Sequence, residues 1–98
     1  MTTDTLRPLV DTLKVLAHPV RLRILALLHG GELCVCEVAE VLGLPPSTVS
    51  EHLTGLRRTG LVRERKVGRW VHVALAEEAA ARPVLEALWP LVAAAEAE

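Results

Sequence analysis

The stretch EVAEVLGLPPSTVSEHLTGLRRTG, residues 37–60, decides the fold. Its first part has apolar residues at helical spacing and stops at Gly43, and two prolines in the turn follow. Beyond the prolines, Val49, Leu53 and Leu56 form one apolar stripe, which predicts a second helix ending near the last glycine of the stretch. A short helix, a tight turn and a second helix are the sequence pattern of a helix-turn-helix unit.

The flanking segments complete the predicted architecture. Apolar spacing of three and four predicts further helices over residues 5–17, 20–29 and 77–95. Over residues 61–75 the apolar period changes to two around a glycine turn, which indicates a β-hairpin. We therefore predict a mostly α fold with a small β-hairpin (α+β), a winged helix-turn-helix, as a single domain over residues 1–98.

Composition limits the class of protein. Of the 98 residues, 51% are hydrophobic and the two tryptophans are the only Phe, Trp or Tyr residues, so the core must be aliphatic. No apolar stretch approaches the ~20 residues of a membrane span, and charges interrupt the N-terminal region where a secretory signal would lie. We expect a cytoplasmic protein with no membrane partner. No catalytic constellation stands out, so we expect no enzymatic activity and no catalytic cofactor.

Positive charge is concentrated in one segment, although the net charge of the chain is −1. Residues 51–75 hold six of the basic side chains, which is typical of a surface that faces a polyanion such as double-stranded operator DNA. A solvated hairpin of mixed charge, or a winged helix that binds protein in place of DNA, is the alternative. The residues predicted to contact DNA lie on the second helix of the unit and on the hairpin: Ser47, Thr48, Ser50, Glu51, His52, Thr54, Arg57, Arg58, Arg63, Arg65, Lys66 and Arg69.

The only two cysteines, Cys34 and Cys36, lie at the start of the first helix of the unit. Thiolates select thiophilic ions, and a helix N-terminus lowers the pKa of a thiol. Residues two apart on a helix point to nearly opposite sides. We therefore expect this segment to be extended, or its first turn to unwind, when both sulfurs bind one ion.

Three stretches together resemble the ArsR/SmtB family of metal-sensing repressors: residues 16–28 (LAHPVRLRILALL), residues 32–44 (ELCVCEVAEVLGL) and residues 47–75. The resemblance implies a homodimeric winged helix that releases DNA when its inducer binds. It also implies a dimer interface formed by the first and last helices, for which the sequence offers Leu6, Leu9, Leu13, Leu85, Leu88, Trp89 and Val92.

The chain departs from the family pattern between the two helices of the unit. Relatives usually place a capping Ser and a Gln at the start of the second helix, where this chain has Pro45 and Pro46. Pro46 is acceptable at the first helical position, but Pro45 has no side-chain oxygen with which to cap the helix. We expect base recognition from this corner to differ from that of the relatives.

The resemblance also implies which inducers to weigh. Arsenic sensors of the family carry a third cysteine three residues after the pair, where this chain has Ala39. Cadmium and lead sensors add cysteines near the N-terminus and zinc sensors use His and Asp on the last helix; the corresponding cysteines and histidines are absent here. The two thiols favour trivalent arsenic or antimony, or a methylated arsenical, as inducer. The alternatives are a cadmium- or lead-responsive repressor and a thiol redox-responsive repressor of the same fold.

Overall fold

The computed structural model describes residues 3–97, which form five α-helices and a three-stranded antiparallel sheet after one turn of 3-10 helix. In chain order the elements are the 3-10 turn Thr3–Leu6, α1 (Arg7–Leu16), α2 (Pro19–His29), β1 (Leu33–Cys34), α3 (Val35–Leu42), α4 (Pro46–Arg58), β2 (Val62–Val67), β3 (Trp70–Leu75) and α5 (Arg82–Glu96).

The predicted helix-turn-helix is confirmed as α3 and α4. Gly43 ends α3 in the left-handed conformation, with φ 67°, which glycine adopts without a Cβ clash. Pro45 caps α4 through its backbone alone, because its carbonyl accepts from the N–H groups of Thr48 and Val49 at 3.0 and 3.2 Å. The predicted apolar stripe of α4 is fully buried and holds the helix on the domain.

The predicted hairpin is also confirmed. Strands β2 and β3 pair from Val62 opposite Leu75 to Val67 opposite Trp70, and Gly68 turns the chain at the tip with φ 61°. We name this hairpin the wing. The sequence did not predict β1, because two residues are too few to show an alternating pattern. β1 lies on the free side of β3, with Cys34 opposite His72, so it joins the cysteine segment to the wing.

The last helix differs from its prediction in two respects. It begins at Arg82, not near residue 77, because residues 77–81 form turns and Pro83 occupies the first helical turn. Leu85, which we assigned to the dimer interface, is 2% exposed and packs in the core of its own chain. That assignment is wrong, because a side chain already buried adds no area to a subunit interface.

One hydrophobic cluster joins residues from α1 to α5 and from the wing, and its fully buried members include Ile24, Leu25 and Val73. Burial of this aliphatic core is the main stabilising contribution to the fold. The outer face of α1 stays outside it: Leu6, Leu9, Val10 and Leu13 are 40% to 48% exposed.

None of the helices within residues 3–97 has the length and apolar character that crossing a membrane requires.

Candidate thiol site and DNA interface

The two cysteines converge at the junction of β1 and α3. Cys34 is the N-cap residue of α3 and has an extended backbone, with φ −73° and ψ 146°, whereas Cys36 lies in the first helical turn. Their Sγ atoms are 2.8 Å apart and share a hydrogen bond. Of the two arrangements that we expected, the structure has the extended one: Cys34 is extended and α3 begins at the next residue, so the first turn of the helix stays intact.

Local contacts hold this geometry. The backbone N–H of Cys34 donates to the Glu37 carboxylate at 2.8 Å, which fixes the entry into α3. Cys34 is buried and Cys36 is exposed, and both are free thiols. With zinc-like bonds of about 2.3 Å, one ion bridges sulfurs separated by up to about 4.6 Å. A tetrahedral angle at the ion needs about 3.8 Å between the sulfurs, so the pair must open by about 1 Å from its separation of 2.8 Å to bind one ion.

The protonation state of Cys36 differs from the expectation based on the helix N-terminus. The hydrogen bond between Cys36 and Cys34 is the main cause that raises the pKa of the Cys36 thiol above its usual value, with desolvation next. The thiol therefore keeps its proton at neutral pH, and an ion that binds there must displace it.

A third protein ligand is not in place around the pair. Within the described residues, no group of three or more His, Cys, Asp or Glu side chains is arranged to hold a metal ion. His18 caps α2, because its Nδ1 accepts from the backbone N–H of Val20 at 3.1 Å. His29 stacks on Trp89 with ring centroids 4.9 Å apart. The donor set within residues 3–97 is two sulfurs.

A cavity of about 370 Å³ opens beside the sulfurs; we name it the thiol cavity. Three elements enclose it: the start of α3, the side of α4 that carries Ser50 and Arg57, and the wing at Trp70 and Val71. The walls of the cavity therefore include residues from both parts of the predicted DNA interface. The sequence did not indicate this cavity, because its walls come together only when β1 pairs with the wing.

The residues predicted to read DNA from α4 do not all face outward. Ser47, Ser50, Glu51, Arg57 and Arg58 are exposed, and Thr48 and Thr54 are partly buried. His52 differs from its predicted outward position: it is partly buried against α2, where its Nδ1 accepts from Nε of Arg21 at 3.2 Å. Its ring lies 4.6 Å from that of His18.

Two arginines of the predicted interface are paired with carboxylates of the same chain. Arg65 donates to Glu32 at 2.6 Å, and Arg57 donates to Glu64 at 3.0 Å. The sequence did not predict the Arg65–Glu32 pair, because it did not predict β1, the strand that brings Glu32 close to the wing. Exposed pairs of this kind contribute little to stability, so DNA phosphates can compete for the arginines. Within residues 3–97, Arg63 and Lys66 are exposed and form no ion pair.

The environment of His52 gives stability a pH dependence. Desolvation, then the electrostatic effects of the neighbouring His18 and Arg21, lower the pKa of His52 below its usual 6.5. The unfolded chain thus takes up a proton more readily than the native chain, and the neutral His52 stabilises the fold fully above that value and less as pH falls below it.

We expect His52→Asn, whose amide oxygen can replace Nδ1 as acceptor, to reduce the loss of stability on acidification. The measurement is urea unfolding at about pH 8 and about pH 5.5, compared with the wild type. At the higher pH the two proteins should differ by less than about 1 kcal/mol. If the free energy of unfolding falls by the same amount between the two pH values in the variant and in the wild type, His52 does not titrate in this way.

Comparison with known proteins decides the family. The model of the family described as bacterial regulatory protein, arsR family, matches residues 18–64, which contain the cysteine pair, both helices of the helix-turn-helix and the start of the wing. The arsenical resistance operon repressor of Escherichia coli is 39% identical over 83 residues, 82% of this chain and 71% of that protein. The chain belongs to the arsR family.

Solved structures agree with this assignment. HlyU from Vibrio cholerae superposes on this arsR-family protein with a TM-score of 0.81 and 36% identity, covering 93% of this chain and 97% of that one. The homodimeric winged helix-turn-helix domain Mb0332 from Mycobacterium bovis has a TM-score of 0.76 and 31% identity, covering 98% and 84%. The arsR-family protein is therefore a winged-helix transcriptional repressor, not an enzyme.

Proposed function

We propose that this repressor releases its operator when trivalent arsenic or antimony, or a methylated arsenical, binds Cys34 and Cys36. The observation that carries the proposal is the 2.8 Å approach of the two sulfurs in a frame set by β1 and α3. Soft thiolates suit these elements, and the likeness to an arsenical resistance repressor points to the same chemistry. No third thiolate is needed from the chain, since hydroxide, an external thiol or a methyl carbon can take the third bond.

The position of the thiol cavity supplies a means of release. Arg57 and Ser50 of α4 line it together with Arg69 of the wing, and all three belong to the predicted DNA interface. An occupant that favours a wing position different from the DNA-bound one lowers DNA affinity, but only by as much as it prefers the DNA-free conformation. A hundredfold drop in operator affinity requires a coupling of about 2.7 kcal/mol.

DNA binding is assigned to the exposed side of α4 and to the wing. The N-terminal part of α4 presents Ser47, Thr48 and Glu51 to a major groove, as the second helix of a helix-turn-helix does. Arg63 and Lys66 extend from the wing towards the flanking phosphates. His52 is better placed to join α4 to α2 than to read a base.

We further propose that the functional unit is a homodimer. The apolar outer face of α1 is about half exposed in the single chain, and exposing such a face costs free energy that a second copy can recover. Leu88, Trp89 and Val92 on α5 are partly buried and are assigned to the same interface. A dimer also presents two copies of α4 to two half-sites of one operator.

The test is operator release by the purified protein. A duplex selected for binding from a randomised pool is labelled, and its affinity is measured by fluorescence anisotropy with a phosphine as the only reductant. We expect micromolar arsenite, antimonite or methylarsenite to lower affinity by about a hundredfold. Peroxide, added to protein from which the phosphine has been removed, should have little effect. Release by peroxide or cadmium in the absence of any response to arsenic would contradict the proposed inducer.

A further inference from the structure

We infer that the thiol cavity selects an inducer that carries an apolar organic group, and that Trp70 is the residue that sets this preference. The inference rests on the proposed binding of trivalent arsenic to Cys34 and Cys36 and concerns the third bond of the bound atom. It goes beyond a methyl group to larger substituents, of which a phenyl ring is the clearest probe.

The chemistry is an exchange of ligands without oxidation. A hydrated arsenical R–As(OH)₂ reacts with the two thiols, forms two arsenic–sulfur bonds and releases two waters, each made of one hydroxide and one thiol proton. The arsenic–carbon bond stays intact and arsenic remains trivalent. Two of its three bonds are then fixed at the sulfurs, so the third substituent alone distinguishes one inducer from another.

The cavity is larger than a hydroxide requires. Its volume of about 370 Å³ compares with about 30 Å³ for one water, so most of it would stay filled with solvent if the third group were hydroxide. Val35 and Val71 supply aliphatic walls, and Trp70 supplies an indole that is 48% exposed. An aromatic group held here can pack against the indole, which favours it beyond simple burial.

Three polar side chains of the cavity are already engaged with partners in the chain. The hydroxyl of Thr54 donates to the carbonyl of Ser50 at 3.0 Å, and Arg57 is paired with Glu64. The guanidinium of Arg69 lies 5.1 Å from the centre of a Trp70 ring, which holds the indole in place through a cation–π contact. These contacts leave fewer hydrogen-bond donors for a bound hydroxide. They also hold the indole as a preformed surface on which an aromatic ring can pack.

The experiment compares phenylarsine oxide, methylarsenite and arsenite on the full chain, with a phosphine as reductant. Affinities are measured by calorimetry. Emission is followed in a Trp89→Phe variant, in which Trp70 is the only tryptophan. We expect phenylarsine oxide to bind at least about tenfold more tightly than arsenite and to change Trp70 emission. Trp70→Ala should bring that preference below about threefold while arsenite affinity stays nearly constant. Val41→Ala, on the exposed side of α3 and outside the cavity lining, is the control and should keep the preference.

Each outcome decides between the two claims. Equal affinity of the wild type for phenylarsine oxide and arsenite overturns this inference and leaves the proposed function standing. The same loss of affinity for both compounds in Trp70→Ala also overturns it, because it indicates a general effect on the site. If none of the three compounds binds, the proposed function itself is overturned.

Discussion

We expect Cys34→Ser and Cys36→Ser each to abolish operator release by arsenite. DNA affinity in the absence of arsenite should stay within about threefold of the wild-type value. A hydroxyl is a poor ligand for a thiophilic element, so either substitution leaves one sulfur where two are needed. The two thiols hydrogen-bond to each other and neither belongs to the residues assigned to DNA binding, so DNA affinity without arsenite should change little. The expected loss of response is the full factor of about a hundred.

The measurement is the anisotropy titration of the selected duplex with and without arsenite. Glu40→Gln is the control, because Glu40 is exposed on the same helix, and it should respond as the wild type does. Thermal unfolding of both serine variants checks that the buried position of Cys34 tolerates a hydroxyl. Two folded variants that still release DNA on addition of arsenite would place the inducer site elsewhere in the protein.

The second large effect concerns α1. Leu9→Glu together with Leu13→Glu should convert the dimer to a monomer, because two carboxylates would have to lose their hydration in an apolar interface. A monomer contacts one half-site only, so we expect operator affinity to fall by at least about a hundredfold. Both leucines are about half exposed in the single chain, and the fold should therefore survive the change.

Analytical ultracentrifugation measures the first part of that expectation and the anisotropy titration measures the second. Val67→Glu serves as the control for association, since Val67 is 45% exposed on the wing and belongs to neither α1 nor α5. If the double variant stays dimeric at micromolar concentration, the outer face of α1 is not the interface. If it becomes monomeric and keeps full operator affinity, the half-site argument is wrong.

Most of the fold follows from residue spacing. The stripe of Val49, Leu53 and Leu56 predicted α4 correctly, because a helix must bury one face. The alternation of apolar and polar residues after Gly60 predicted the wing, because a strand buries every second side chain. Spacing could not show whether an apolar side chain of α5 is buried in the core of its own chain or against a partner subunit. Leu85 packs in its own core, where the sequence pattern equally allowed a partner.

The candidate site was only partly predictable. The sequence singled out both cysteines and predicted that they would not share a regular helix, and Cys34 is indeed an extended strand residue that precedes α3. That strand is two residues long and exists through its pairing with the wing, which is a tertiary effect. The thiol cavity, the Glu32–Arg65 pair and the inward position of His52 depend on the same kind of long-range contact.

The most direct test of the central claim is X-ray absorption at the arsenic edge, on protein loaded with one equivalent of arsenite in the presence of a phosphine. The account predicts two sulfur neighbours and one light atom per arsenic in the wild type, and fewer than two sulfurs in Cys34→Ser and in Cys36→Ser. Arsenic without sulfur neighbours, or with three in the wild type, would contradict a site made of this thiol pair alone.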